Sequence, residues 1–257
     1  MTCAILRKLI YHLESVIIST FMRRYTNWTI IFISTLFAVA AVTSTYWIPE
    51  LQPSLINTRD AAEQFSCADY VNGDQCAVLR ENYKTNPDLA LAQQAALDPD
   101  AQREVTNEDT LTEIAVDVAE GTSDPITPHV IKSGTFNSFD ALRGAVGNVA
   151  IYEIGRLDGT EVKHILRFEN AFEETFRIIN GPDLYVYLSQ SQNPLTVDQM
   201  MEGDLGAVEI SIIKGNIGEQ NYELPSDIDL TQYNSVVIYS KQFNLLYSVA
   251  PLISAVN

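Results

Sequence analysis

The residues with the most reactive side chains are few and widely spaced. Cys67 and Cys76 bracket the stretch "CADYVNGDQC", with an Asn72-Gly73 turn signal between them. Two thiols around a turn suggest a disulfide in an oxidising compartment and a pair of reduced thiols elsewhere. A zinc site is disfavoured, because His129 and His164 lie far away in sequence and tetrahedral sites need four convergent ligands. Ser240 closes the apolar run Val236-Val237-Ile238-Tyr239, where a hydroxyl finds few partners. No G-x-S-x-G elbow surrounds it. A hydrolytic reading needs His164, with Asp183 or Asp229, as its base. The bland reading of His164 is structural, and that of Ser240 is a buried hydroxyl bonded to backbone. Tyr185 and Tyr187 share one face of "DLYVYLS", and Tyr239 faces outward in parity with Val237. These rings could stack a ligand, although cross-strand packing is the commoner use. "DIDL" and "DPD" lack the remaining ligands of a calcium loop and read as turn and cap acids. "GNIG" has no following helix to hold a nucleotide.

These residues sit in a chain of uneven composition. From Trp28 to Trp47 no charged residue occurs for 20 positions, the length a helix needs to cross a bilayer. Tyr25, Trp28, Tyr46 and Trp47 mark its ends, and Pro49 stops it. Arg23 and Arg24 precede the span, which places residues 1–27, with Cys3, in the cytoplasm and the rest outside. The expectation is a single-pass anchor over 28–48, a cleaved signal ending near Ala38-Val39-Ala40 being the competitor. Met22 offers an alternative start. Beyond Trp28 the chain carries 12 basic and 32 acidic residues. That excess repels phosphate backbones and disfavours nucleic acid as a partner. The membrane, and another extracytoplasmic protein, are the partners expected.

Residues 49–125 read as an acidic helical stalk. Caps are expected at Thr58, before "QCAVLRENY" at Asp74, at Asn86 with Pro87 behind it, and at Asn107 before "EDTLTEIAVDVAE", with Gly121 as the stop. Leu111, Ile114, Ala115 and Val118 fall on one helical face. "GTSDPITPHVIKSG" reads as a linker. After it, residues 126–257 show short β-rich runs broken by turn residues, Asp158-Gly159 being the clearest hairpin signal. The fold class expected is an all-β sandwich or barrel, preceded by a transmembrane helix and a short α-helical acidic region. "SVVIYSK" is apolar on both faces, as in a strand covered on both sides.

Three blocks in order, Gly181-Pro182-Asp183-Leu184, Gln220-Asn221-Tyr222-Glu223-Leu224-Pro225 and Ser235-Val236-Val237-Ile238-Tyr239, give residues 130–257 a further meaning. This stretch resembles the electron-transfer DM-thirteen domain family, small all-β extracellular modules. The resemblance implies a cysteine directly after the "VVIY"-like strand, acting as a free thiol or as the ligand of a haem. Ser240 stands there instead. A hydroxyl has no accessible redox couple and is a poor soft-metal ligand. Together with the apolar run at 28–48, the resemblance gives the expectation of a membrane-anchored extracytoplasmic module; the haem that the family implies is disfavoured by Ser240, which leaves a binding or structural role with no catalytic residue and no resident cofactor. The alternative is an electron-transfer protein whose haem or metal is held by other groups, such as His164 or Tyr239.

Overall fold

The computed structural model describes residues 65–119, 126–155 and 162–255. The expected span at 28–48, the flank 1–27 with Cys3, the cap at Thr58, the stop at Gly121 and the Asp158-Gly159 hairpin lie outside the described residues. Among the described residues no helix is long and apolar enough to cross a membrane.

The helical region begins with α1 (Gly73–Thr85) and α2 (Pro87–Ala96). The cap of α1 is Asn72 rather than Asp74. Its side chain accepts from Gln75 N while Gln75 answers on the Asn72 N–H, a reciprocal box that leaves Asp74 free to face the positive end of the helix. Asn86 caps α2 with Pro87 at the first position, as expected. Helix α3 (Leu111–Val118) starts later than Asn107. Thr110 and Glu113 form its capping box, whereas Asn107 takes a left-handed φ of 65° and ends an extended segment.

That extended segment explains why residues 65–119 are not a stalk standing clear of the β-domain. The Arg103 N–H donates to Asn216 Oδ1 at 2.6 Å, the Val105 N–H donates to Ile217 O at 2.8 Å, and Asp109 O accepts from Asn221 Nδ2 at 2.7 Å. The "GNIG" stretch is the cradle for this strap. A Cβ on Gly215 would fall 2.6 Å from Arg103 O, and Gly218 holds a φ of +95° against Val105 O. Helix α3 then lays Ala115 and Val118 on Ile154 and Ile165, and Leu142 of the β-domain enters the cluster of Phe65, Leu79 and Ala90. Burial of these apolar faces, rather than the helices' own propensity, is what orders short helices of this kind.

The β-domain is a sandwich, not a closed barrel. Strands β1 (His129–Thr135), β2 (Asn137–Ser138), β3 (Ala145–Val146), β4 (Asn148–Gly155), β5 (Val162–Glu169), β6 (Arg177–Ile178) and β7 (Leu184–Ser189) come first. A short helix α4 (Val197–Met200) intervenes before β8 (Val208–Ile212), β9 (Gln220–Glu223), β10 (Ser235–Ser240), β11 (Leu245–Pro251) and β12 (Ile253–Ser254). One sheet runs β12-β1-β4-β5-β9 and the other β2-β11-β10-β7-β8, with β3 and β6 pairing apart. Strand β1 occupies residues that read as linker. It lacks an apolar run because it is only half-buried, and its pairing with β4 and β12 supplies the order that its side chains do not.

Between the sheets Val149, Ile151, Leu166 and Phe168 meet Leu184, Val186, Leu188, Val236 and Ile238. The alternation read in "DLYVYLS" thus divides core from outer face as expected, since period-two side chains point to opposite sides. Strand β10 is covered on both faces. Val237 and Tyr239 pack outward with Met200 of α4, Leu246 and Val249.

Candidate functional site

Ser240 ends β10 opposite Leu184 of β7 and Leu245 of β11. Its side chain is 0% exposed, and Oγ donates to Pro182 O at 2.7 Å. Pro182 belongs to the turn Gly181-Pro182-Asp183, whose Asp183 has φ of 53° and whose carbonyl accepts from Lys241 N at 3.2 Å. The turn is thereby hooked twice to the end of β10, once through a side chain and once through backbone. Gly181 is needed for another reason. A Cβ there would fall 2.2 Å from the Tyr247 ring, so the backbone lies directly against that buried face.

Tyr247 ties this corner to the helices. Its hydroxyl accepts from Gln93 Nε2 at 3.4 Å, and Gln93, only 2% exposed, accepts in turn from Asn82 Nδ2 at 2.8 Å. A buried amide without such partners would cost about 1–3 kcal/mol. Burial pushes the Tyr247 phenol up to about 12, while the Gln93 donor and Arg143 oppose the rise.

The other candidates do not converge on Ser240. His164 lies on β5, in the opposite sheet, with Nε2 3.3 Å from Glu153 Oε2. The Asp229 carboxylate accepts from Thr231 and Gln232 and caps the turn at Leu230–Gln232. A Ser-His-Asp constellation is not assembled, because the hydroxyl's one proton is given to a carbonyl and not to an imidazole. Among the described residues no group of three or more His, Cys, Asp or Glu is placed to hold a metal ion. Nor do the residues around position 240 fit a haem, since a fully buried hydroxyl bonded to the Pro182 carbonyl offers no axial ligand.

Cys67 and Cys76 form a disulfide. The bridge closes the loop that leads into the Asn72 cap, and Cys67 packs against the cluster that includes Leu142. The helices carrying it do fold against the β-domain, which makes the two regions one packed body among the described residues.

Tyr185, Tyr187 and Tyr239 come together on the outer face of the second sheet. Tyr187 and Tyr239 meet edge to face with centroids 5.6 Å apart, and the Lys241 ammonium sits 3.7 Å over the Tyr185 ring. Tyr187 Oη donates to Glu209 Oε2 at 2.7 Å, and the same carboxylate oxygen lies 2.5 Å from Lys241 Nζ. Burial first, then Glu209, raises the Tyr187 phenol, and Lys241 followed by Tyr187 lowers Glu209. Tyr239 Oη donates to Asn244 Oδ1 at 2.6 Å. Sequence reasoning missed Glu209, Lys241, Gln93 and Tyr247 as partners. Lys241 had a usable signal in its parity with Tyr239 and Glu209 had one in the alternation of "VEISI", but their meeting needs the register that sets Glu209 opposite Tyr187.

The corner built by Gly181-Pro182-Asp183, the end of β10 and the ring of β11 lies within a longer segment that matches a known family model. Residues 144–252 match the family model Electron transfer DM13. The match spans less than half of the chain and contains all three motif blocks, at Gly181, Gln220 and Ser235. No curated protein and no solved structure matches the chain significantly. Strand β1, the strap and helices α1 to α3 lie outside the DM13 match, yet β1 stands between β12 and β4 and the strap fills the cradle of Gly215 and Gly218. The folded body is therefore larger than the matched segment.

Proposed function

We propose that this chain is a membrane-anchored extracytoplasmic protein whose DM13 module has a binding or structural role, the redox thiol of the family having given way to Ser240. One observation carries the reading. Ser240 is wholly enclosed and spends its proton on Pro182 O, so the residue acts as a clasp between the motif turn and β10. An oxygen in that place fastens the turn as well as a sulfur would, and it neither cycles through a disulfide nor binds a soft metal. The run from Trp28 to Trp47 and the arginines before it support the anchor.

The test compares the full-length protein, purified from its own membrane, with a Ser240→Cys variant. The unaltered protein is expected to be colourless and to carry no metal, while the variant alone gains an oxidisable thiol or takes up added haem. A coloured centre with a reversible potential in the unaltered protein would reverse the conclusion. In that event the alternative function, electron transfer through a haem or metal held elsewhere, is the correct one.

A further inference from the structure

The three tyrosines on the outer face of β7 and β10 look alike in sequence and differ in one chemical respect. Tyr187 is 7% exposed and points its O–H at a carboxylate, Glu209. Tyr239 points its O–H at the Asn244 amide oxygen, which is not a base at ordinary pH. Tyr185 lies under the Lys241 ammonium, whose charge opposes removal of an electron from the ring beneath it. We infer that Tyr187, with Glu209 as its proton acceptor and Tyr239 as its contact toward the surface, is a one-electron redox site for high-potential outer-sphere metal-complex oxidants.

The step balances on these atoms. Tyr187 gives one electron to the oxidant, which is reduced by one. The phenolic O–H bond breaks, and its proton moves along the existing 2.7 Å hydrogen bond to Glu209 Oε2. The products are a neutral phenoxyl radical and a Glu209 carboxylic acid, still beside Lys241. Return of the electron returns the proton to the phenolic oxygen. A positioned base is required because a phenol that loses only its electron is left as a strongly acidic radical cation, and the raised Tyr187 phenol is not ionised in advance. Glu209 can accept because a carboxylate is ionised near neutrality, and its pairing with Lys241, which lowers its proton affinity, favours the proton's return to the phenolic oxygen. The Tyr239 ring, half-buried and edge-on at 5.6 Å, places aromatic contact between Tyr187 and solvent.

Tyr152 provides an internal comparison. On the other sheet it donates to Glu169 Oε1 at 2.6 Å, with no aromatic ring against it among the described residues. A Tyr–Glu pair serving only to hold strands together would make the two sites equivalent in their response to an oxidant.

The experiment uses full-length protein in detergent, with photogenerated ruthenium(III) trisbipyridine as oxidant and transient phenoxyl absorption as readout. The parent protein is expected to show a fast oxidation phase. Glu209→Gln should slow that phase about a hundredfold, the lower end of what a positioned base contributes. Tyr187→Phe should remove it, and Tyr152→Phe should leave it in place. Glu209 is exposed on a strand near the sheet edge, so its amide variant keeps the fold and decides the question alone if Tyr187→Phe proves unstable. Equal rates for parent and Glu209→Gln would overturn the inference, as would a fast phase that survives Tyr187→Phe. The colour test on Ser240 is independent of both outcomes.

Discussion

Gly181→Ala is the substitution from which the most is learned, because a single methyl group reports on the whole corner. The added carbon would lie 2.2 Å from Tyr247 Cε1 and 2.4 Å from Cζ, far inside van der Waals contact. The ring cannot swing away, since Tyr247 is fully buried and its hydroxyl is held by Gln93. Nor can the turn retreat freely, because Ser240 and Lys241 both bind its carbonyls. Overpacking of this kind costs typically about 1–3 kcal/mol, and the upper part of that range applies where both sides of the clash are fixed. Urea unfolding of the disulfide-intact protein, with a slope of about 2–3 kcal/mol/M for a domain of this size, should show a midpoint lower by about 1 M. Gly73→Ala is the matched control. It makes the same chemical change at the first residue of α1, where nothing lies within 4 Å, and should leave the midpoint unchanged or raise it slightly. A loss below about 0.5 kcal/mol for Gly181→Ala, within the ordinary range for surface changes, would refute the picture of a turn clamped against a rigid ring.

Two other measurements probe neighbouring features. Cys67→Ser with Cys76→Ser opens a short loop whose closure entropy corresponds to about 2–3 kcal/mol, and hydrogen exchange should show the loss concentrated in α1 and α2; protection that falls uniformly across both sheets would contradict it. Tyr247 has its folded pKa raised from 10.0 to about 12, so its contribution to stability is complete below pH 10 and is lost as pH rises through the folded value. Stability should decline by up to about 1.4 kcal/mol per pH unit in that window on account of this group, and Tyr247→Phe should flatten the decline measurably.

What was readable from the sequence was whatever depends on period and on local chemistry. The Asn86-Pro87 helix start is a local device, and so is the face of Leu111, Ile114, Ala115 and Val118. The two faces of "DLYVYLS" and the covered strand "SVVIYS" follow from side-chain alternation, which needs no knowledge of the partner strands. The clasp role of Ser240 could be expected as well, because a hydroxyl enclosed by apolar neighbours must bond to something and backbone is what is nearest. Asn107 failed as a cap for the opposite reason. Its segment is held by Asn216, Ile217 and Asn221, more than a hundred residues away, and that tether moved the helix start to Thr110.

The chain's own order of residues thus settled the strand faces, the Asn86-Pro87 helix start and the residue type at position 240. It also settled the uneven charge, with 32 acids and 12 bases beyond Trp28. Only the tertiary structure decided that β1 is a strand, that the acidic helices are fastened to the sandwich through Leu142, Gln93 and the Gly215–Gly218 cradle, and that one tyrosine of three faces a carboxylate. The reason is physical. Alternation and capping are written within a few residues, whereas register, close approach of backbones and the partner of a buried polar group are set by contacts between segments far apart in the chain, and these exist only once it has folded.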